Sequence, residues 1–481
     1  MYGALSTLLG SEPAKKQLLL GSRAPEKIAT LDFNIDYPLT EEQKVILIKM
    51  LSKQEYFLLW GPPGTGKTSR MLRYFVQYIL ENTTENILLL SYTNRAVDEI
   101  SAAIFEIGTT ASDVMMRIGS KTAASSTFEE AFLTEKVKGL GTRIAVKDKI
   151  RTQRIVVATV SSILGNQEIL NILDFERVLI DEASQIPEPM LIGLLSKLRN
   201  PILIGDHKQL PAVVVQAENL SKVEDEDLHK IGLFDMRNSY FERMYKLAVK
   251  HNWSHVIGQL SYQGRMHESI MQFPAKMYYE GQLSILSESA DPTQRQRAQL
   301  AWSSQQLSDS FDLMLSKQRL CFIPSNINEL EPWAKLNQDE AEKTADIIES
   351  FLKLYALNDL EFHSESIGVI TPFRAQIAQI RACLQERNLP LDLITIDTVE
   401  RYQGGARDII ILSTCVNNPD QIDAICSISE EGIDRKLNVA ITRARKQFVL
   451  IGNRELLESS SSYEFLIQYI GSLETSKSME Y

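Results

Sequence analysis

The chain has 481 residues, of which 44% are hydrophobic and 23% are charged, and its formal net charge at pH 7 is −11. This length predicts two to three compact domains, and the acidic balance excludes a surface that is basic throughout, although local Lys/Arg clusters could still bind nucleic acid. No two of the four cysteines form a CxxC pair, so the sequence indicates neither a disulfide framework nor a cysteine-rich metal site.

The sequence has no membrane or export signal that can be recognised. No stretch reaches about eighteen uninterrupted apolar residues, and the start, MYGALSTLLGSEPAKK, lacks the pattern of a signal peptide. We therefore expect a soluble, cytoplasmic protein that does not associate with membranes.

The first part of the chain divides into a lead-in segment and an α/β domain. Residues 1–36 carry the basic, Gly/Ser/Pro-punctuated stretch KKQLLLGSRAPEK and are too short to fold alone. From residue 37 onward, apolar runs alternate with amphipathic helices, which predicts a parallel sheet covered by helices. The predicted strands lie near 56–60, 86–91, 155–160, 177–181 and 201–205.

The run GPPGTGKT follows the first of these strands and opens a helix, which is the context of a phosphate-binding loop. Glycines let backbone N–H groups converge on phosphates, Lys67 would reach the β and γ phosphates, and the Thr68 hydroxyl would ligate Mg²⁺. A Gly/Pro-rich turn is the alternative, which the strand before and the helix after the run disfavour. The predicted nucleotide-binding residues are Gly61, Pro62, Pro63, Gly64, Thr65, Gly66, Lys67 and Thr68.

Two later strand ends carry polar groups that suit phosphoryl transfer. RVLID ends in Asp181 and Glu182, at the edge of a parallel sheet where ligands bind. Asp181 would hold Mg²⁺ through water, and Glu182 would orient and deprotonate the attacking water. Gln209, in GDHKQL after another strand, could contact the γ-phosphate without adding charge.

Between these motifs, the stretch from Gly119 to Ile155 interrupts the alternation. It is polar, predicted to be helical, and carries eight basic residues against four acids, a net of +4. It is a candidate nucleic-acid contact, and a solvated helical insertion is the alternative. The basic residues are Lys121, Lys136, Lys138, Arg143, Lys147, Lys149, Arg151 and Arg154. The acidic segment from Glu218 to Asp227 is predicted to be an exposed loop.

A second α/β series begins near residue 253 and has no phosphate-binding loop. Strands are predicted at 318–323, 366–371, 392–398, 408–416 and 447–451, and helices near 338–357, 373–388 and 433–443. Residues 287–317, rich in Ser and Gln, look like an excursion from this second domain.

Ten motifs occur in a fixed order: LTEEQ, GPPGTGKT, SYTNRAVDEI, ATVSS, DEASQ, GDHKQLPAV, QGRMHESI, ITPFRAQI, IDTVERYQGGARD and LNVAITRAR. Over about residues 37–470 this set resembles the superfamily 1 helicases of the 5′→3′ subgroup. Within it, the chain looks most like the motor of the replication nuclease-helicase and less like the RNA helicase of nonsense-mediated decay. The resemblance implies two tandem RecA-like P-loop domains, 37–252 and 253–474, with a helical insertion at about 120–154 in the first.

The resemblance also implies roles for individual residues. Gln43 in LTEEQ would read adenine, and Gly404 would lie at the nucleotide. Arg265 and Arg443 would reach the γ-phosphate, with Arg445 as a further candidate. Contacts to the nucleic-acid backbone would come from Thr93, Asn94, Thr159, Thr371 and Thr398. Each of these threonines could instead be an ordinary strand-end residue.

The sequence departs from the family at two positions and lacks one family feature. Gly264 stands where the family usually has a tyrosine that stacks on adenine, and Ala406 where it usually has an acid near the ribose. There is neither room before residue 37 nor a set of clustered cysteines for the nuclease domain of the replication enzyme, so we expect no nuclease activity.

The expected function is ATP hydrolysis with Mg²⁺ in a cleft between the two domains, driving 5′→3′ movement along a single strand. DNA is favoured over RNA as the partner, and a monomer is expected. Two alternatives stay open. One is an RNA helicase or remodeller on the same motor, and the other is a nucleotide-dependent binding switch that does not translocate.

Overall fold

The computed structural model describes residues 2–29, 33–120, 126–212, 214, 216, 218–286, 302, 307–402 and 405–478. It contains two compact units, one formed by Met1–His207 and Pro211–Leu260 and the other by Lys208–Leu210 and Ser261–Tyr481. Among the helices of the described ranges, none combines the length and the apolar character that crossing a bilayer requires.

The first unit is built on a seven-stranded sheet with the order β3-β4-β2-β5-β6-β1-β7, in which every pairing is parallel. Its four- and five-residue strands are buried along their whole length, as expected for a parallel sheet covered by helices. The strands are β1 (Phe57–Trp60), β2 (Ile87–Ser91), β3 (Met115–Ile118), β4 (Ile155–Thr159), β5 (Arg177–Ile180), β6 (Pro201–Gly205) and β7 (Ile257–Gln259).

Helices flank this sheet, and several begin at a side-chain cap that the sequence supplies. Thr40 and Gln43 form a reciprocal capping box, and Thr93, Thr142, Thr159 and Ser239 each accept a backbone hydrogen bond at a helix start. The α-helices are Tyr2–Leu9, Pro13–Leu20, Glu41–Leu51, Arg73–Asn82, Asn94–Phe105, Thr109–Asp113, Leu133–Lys136, Arg143–Arg151, Val160–Gly165, Ile169–Ile172, Glu188–Leu195, Glu218–Ser221, Glu226–Lys230 and Tyr240–Lys250.

Two strands of this sheet are not predicted from the sequence. β3 lies at one edge, where it pairs with β4, and β7 lies at the other edge, where Leu58 pairs with Ile257. Both are short, three or four residues, so the neighbouring strand rather than a long apolar run decides their conformation. As a result the first unit continues to Leu260.

The lead-in segment forms two helices that belong to the first unit. Leu18 and Leu19 are buried, and the carbonyl of Leu20 accepts a 3.0 Å hydrogen bond from Arg243 Nη1. Lys15 Nζ donates to the Leu198 carbonyl at 3.0 Å. These contacts make the segment part of the packed unit.

The described residues 126–154, which lead into β4, are largely helical, as predicted. They contain a 3₁₀ turn at Ser126–Ala131 followed by the helices Leu133–Lys136 and Arg143–Arg151. The prediction of a loop from Glu218 to Asp227 is wrong, because this region holds the short helices Glu218–Ser221 and Glu226–Lys230. Asp225 caps the second of them by accepting hydrogen bonds from the N–H groups of Asp227 and Leu228.

The second unit has a five-stranded parallel sheet with the order β10-β14-β13-β11-β12 and a separate two-stranded pair, β8 with β9. The strands are β8 (Tyr262–Gln263), β9 (Ser284–Ile285), β10 (Leu320–Pro324), β11 (Ile367–Ile370), β12 (Thr395–Asp397), β13 (Arg407–Ser413) and β14 (Ala444–Gly452). Each predicted strand of this half overlaps one strand of the five-stranded sheet.

The α-helices of the second unit include the three that were predicted. They are Glu268–Tyr278, Ser310–Lys317, Gln338–Leu357, Arg374–Glu386, Ile422–Ile425, Arg435–Ile441, Arg454–Leu457 and Ser461–Ser478. Of the predicted excursion, residues 287–301 and 303–306 lie outside the described residues, and its end forms the helix Ser310–Lys317. The expected fold class, parallel sheets flanked by helices in two domains of the RecA type, is confirmed.

Candidate functional site

The GPPGTGKT run forms a tight loop between β1 and the following helix. Gly64 and Gly66 have φ angles of 77° and 84°, in the left-handed region that glycine adopts without strain. At Gly61 an added Cβ would lie 2.3 Å from Lys67 Cγ, so a larger residue here would displace the Lys67 side chain. Lys67 opens a π-helical turn, Lys67–Leu72, and its ammonium donates to the Gly61 carbonyl across the loop. The loop therefore has the compact backbone that phosphate binding needs.

Gln43 is tied to this loop through its amide. Its Nε2 donates to the Thr65 carbonyl at 3.4 Å, and its Oε1 accepts from the Thr40 N–H at 3.1 Å. The side chain is buried, and Thr65 is fixed in turn by a 2.8 Å hydrogen bond from its hydroxyl to the Pro62 carbonyl. The structure thus places the predicted adenine reader against the phosphate loop.

Thr68 and Asp181 meet at the carboxyl edge of the first sheet. Thr68 Oγ1 donates to Asp181 Oδ2 at 2.6 Å. Burial, and then the negative charge of the neighbouring Glu182, raise the pKa of Asp181 to about 6, because both disfavour the ionised form of its carboxyl group. A hydroxyl beside a buried carboxylate is an oxygen-donor set that fits Mg²⁺, which typically takes one or two protein ligands together with phosphate and water oxygens.

Glu182, the predicted base, is held in a strained backbone conformation. Its φ is 53°, a left-handed value that a glutamate seldom adopts and that often occurs at functional sites. Its N–H donates to Asp181 Oδ1 at 2.9 Å, and its Oε2 accepts from Gln185 Nε2 at 2.6 Å. Gln185 was not among the predicted site residues, although its position three residues after Glu182 in DEASQ places it within reach.

Trp60 is a second residue near the site that the sequence did not reveal. It ends β1 directly before the phosphate loop, and its Nε1 donates to Asp206 Oδ1 at 2.9 Å. Its ring packs against those of His207, at 4.8 Å between centroids, and Tyr245, at 5.5 Å. The start of the GDHKQL segment is therefore fixed to the residue that precedes the loop.

Gln209, together with Lys208 and Leu210, belongs to the second unit. In that unit it contacts Arg443, one of the predicted arginines. Arg443 Nη2 donates to Gln209 Oε1 at 2.8 Å, and both side chains are buried. Arg265 Nη1 donates to the Thr442 carbonyl at 3.3 Å, next to Arg443 in the chain. Arg445 instead pairs with Glu365 at 2.8 Å.

The predicted strand contacts of the first unit lie at the ends of two neighbouring strands. Thr93 and Asn94 follow β2, and Thr159 ends β4. Thr93 is exposed, whereas Thr159 is buried and donates to the Ser162 hydroxyl at 2.8 Å. Thr93 and Thr159 also serve as helix caps, which fixes their hydroxyls locally.

In the second unit, Thr371 follows β11 and Thr398 follows the adjacent β12. Thr398 is partly exposed. Thr371 is fully buried, and within the described residues its hydroxyl has no hydrogen-bond partner. Gly404, the predicted nucleotide-site glycine of this half, lies outside the described residues.

The basic residues of the helical insertion divide into structural and exposed ones. The Arg154 guanidinium donates to the carbonyls of Thr83 at 2.9 Å and Glu85 at 3.2 Å. Lys136 Nζ donates to the Asp113 carbonyl at 2.9 Å, and burial lowers the pKa of its amine. Lys149 is exposed and Lys147 partly exposed. Arg154 and Lys136 therefore make structural contacts, and a nucleic-acid contact through the exposed cations of this stretch stays a prediction. Lys121 lies outside the described residues.

Two family models match the chain, and each is described as an AAA domain. One matches residues 38–145 and 141–217, and the other matches residues 236–455. The chain is 28% identical over 484 residues to the DNA replication ATP-dependent helicase/nuclease DNA2 of Mus musculus, covering 94% of this chain and 42% of that protein. It is 26% identical over 545 residues to an uncharacterized ATP-dependent helicase of Methanocaldococcus jannaschii, covering 95% and 74%.

The chain is also 27% identical over 471 residues to the regulator of nonsense transcripts 1 of Dictyostelium discoideum, covering 90% of this chain and 32% of that protein. The chain thus spans less than half of the mouse and Dictyostelium relatives and about three quarters of the archaeal one.

Proposed function

The chain belongs to the superfamily 1 helicases, of the same type as DNA2 and the regulator of nonsense transcripts, and from this premise we propose that it is an ATP-driven motor on single-stranded nucleic acid. The observation that carries the proposal is the Thr68–Asp181 hydrogen bond, 2.6 Å long, beside a Glu182 carboxylate that Gln185 holds in place. Such an arrangement suits hydrolysis of a nucleotide on the phosphate loop.

Each residue of the first unit's site has one proposed task. The loop N–H groups and Lys67 bind the phosphates of ATP, and Thr68 and Asp181 hold Mg²⁺. The ion, when bound, neutralises charge on the phosphate oxygens. Glu182 orients a water and accepts its proton, and Gln185 positions the accepting carboxylate.

In the second unit, Arg265 and Arg443 are proposed to stabilise charge that develops on the γ-phosphate, and Gln209 to report whether that phosphate is present. The 2.8 Å hydrogen bond from Arg443 to Gln209 supports this, because two groups assigned to the same phosphate lie together. Arg445 is left out of the site, since Glu365 and Asp408 already pair with its guanidinium.

For the substrate, we propose single-stranded DNA, 5′→3′ movement, duplex unwinding and a monomeric enzyme in the cytoplasm. The likeness to DNA2 favours DNA. RNA is the second candidate, because the likeness to the regulator of nonsense transcripts extends over 90% of this chain and backbone contacts through threonine and asparagine read no sequence.

Strand displacement on tailed duplexes tests the proposal. With ATP and Mg²⁺, a DNA duplex with a 5′ single-stranded tail should be unwound, and a blunt or 3′-tailed duplex of the same sequence should not. Efficient unwinding from 3′ tails alone would contradict the direction. ATP hydrolysis without displacement of any DNA or RNA duplex would favour a nucleotide-dependent switch.

A further inference from the structure

Trp333 exposes a large aromatic ring to solvent. Of the four tryptophans, all within the described part of the chain, Trp60 and Trp302 are buried and Trp253 is partly buried, whereas Trp333 is 69% exposed. It lies in the loop that leads from β10 to the helix Gln338–Leu357. An exposed aromatic on a loop is a candidate binding residue when the loop holds it in place.

Side-chain amides hold the backbone on both sides of Trp333. Asn418 Nδ2 donates to the Pro332 carbonyl at 2.6 Å, and Gln421 Nε2 donates to the Ala334 carbonyl at 3.0 Å. Asn417 Nδ2 donates to the Ala334 carbonyl as well, at 3.1 Å. The ring is therefore presented on a fixed backbone, so that binding through it would cost little ordering entropy.

The loop lies at the carboxyl edge of the second sheet. Asn337, at its end, exchanges two hydrogen bonds with Gln376: its N–H donates to Gln376 Oε1 at 2.7 Å, and its carbonyl accepts from Gln376 Nε2 at 3.0 Å. Gln376 belongs to the helix Arg374–Glu386, which begins shortly after β11 and Thr371. Trp333 is thus on the side of the sheet where the predicted strand contacts Thr371 and Thr398 occur.

The loop and the neighbouring segment carry cations and a second ring. Lys335 Nζ is 5.7 Å from the centroid of the Phe373 ring, and the next residue, Arg374, is exposed. Exposed Glu329 and Glu331 lie in the same loop, so net charge alone would not attract a polyanion. Affinity there would have to come mainly from the aromatic face, on which a base of any sequence can stack.

We propose that Trp333 is a stacking platform for a base of the single strand, with Lys335 and Arg374 contacting the adjacent phosphates. This inference rests on the proposed function, because it names a contact for the nucleic acid on which that motor would act. A base stacked on Trp333 would add affinity at the second unit for any of the four bases, since each has a π-face.

The test compares the full chain with Trp333→Ala in binding a fluorescently labelled oligo(dT) by anisotropy, across a series of salt concentrations. Loss of one stacked base should weaken binding by about fivefold or more and leave the slope of log Kd against log salt unchanged, because stacking releases no counterions. Lys335→Ala should instead lower the slope by roughly 0.7. Trp333→Phe should retain most of the affinity.

Leu330→Ala is the matched control, since Leu330 is 95% exposed in the same loop and has no aromatic face; its affinity should equal that of the wild type. Equal affinities for Trp333→Ala and the wild type, with no quenching of tryptophan fluorescence by the oligonucleotide, would overturn the inference while leaving the motor intact. If the wild type itself failed to bind DNA or RNA single strands, the proposed function would fall with it.

Discussion

Arg154→Ala should destabilise the first unit, whereas removing the charges of Lys147 and Lys149 should weaken strand binding without affecting stability. Arg154 donates to the Thr83 and Glu85 carbonyls at 2.9 and 3.2 Å and to those of Ile79 and Leu80 at 3.4 Å. The two shorter bonds, at about 1.5 kcal/mol or more each for a charged donor, give a loss of about 3 kcal/mol.

Thermal and urea unfolding of the full chain measure this loss. For a unit of this size, about 3 kcal/mol corresponds to a decrease in Tm of roughly 6–12 °C. The double variant Lys147→Ala/Lys149→Ala is the control, because it removes more charge from an exposed surface and should change the unfolding free energy by less than about 0.5 kcal/mol. For this double variant, the slope of log Kd against log salt for single-strand binding should be lower by up to about 1.4.

Arg154→Lys should not restore stability, because an ammonium cannot reproduce the forked donors of a guanidinium. If Arg154→Ala kept the wild-type Tm but bound single strands more weakly, the division of the insertion into structural and strand-facing cations would be refuted.

Further substitutions test the nucleotide site. Glu182→Gln should nearly abolish turnover while ATP still binds, whereas Lys67→Ala should impair binding itself; equal loss of nucleotide binding in both would contradict the two roles. Arg443→Ala should keep ATP binding but lose the acceleration by nucleic acid, on the order of a thousandfold; a parallel fall in basal rate and affinity would make it structural. Gly264→Tyr should lower the KM for ATP by roughly tenfold with little change in kcat. A large KM penalty from changing Tyr262, 42% exposed on β8, to alanine would show that this ring already stacks.

Much of the fold could be predicted because the central strands are continuous apolar runs. Segments such as Leu88–Leu90 and Ile409–Ile411 are buried along their whole length, so their position in a parallel sheet follows from composition. The edge strand β7 could not be predicted, since its three residues adopt strand geometry through pairing with β1.

Those parts of the site could be predicted whose geometry depends only on backbone conformation and on the spacing of residues in the sequence. The phosphate loop needs glycine at Gly64 and Gly66 for their left-handed φ angles. By contrast, Trp60 and Gln185 gain their importance from contacts that the fold creates, such as the 2.9 Å bond from Trp60 to Asp206. The number of basic residues in the insertion could not show that Arg154 has a structural role, because a cation that donates to carbonyls and one that faces solvent look alike in a sequence.

The measurement that tests the central claim most directly is the rate of ATP hydrolysis by the wild type with no nucleic acid, with single-stranded DNA and with RNA of the same sequence. We predict a low basal rate and strong stimulation by DNA, with Glu182→Gln inactive under every condition. Stimulation by RNA alone would move the substrate to the second candidate. A rate that neither nucleic acid changes, in protein that binds ATP normally, would contradict the account of an ATP-driven motor.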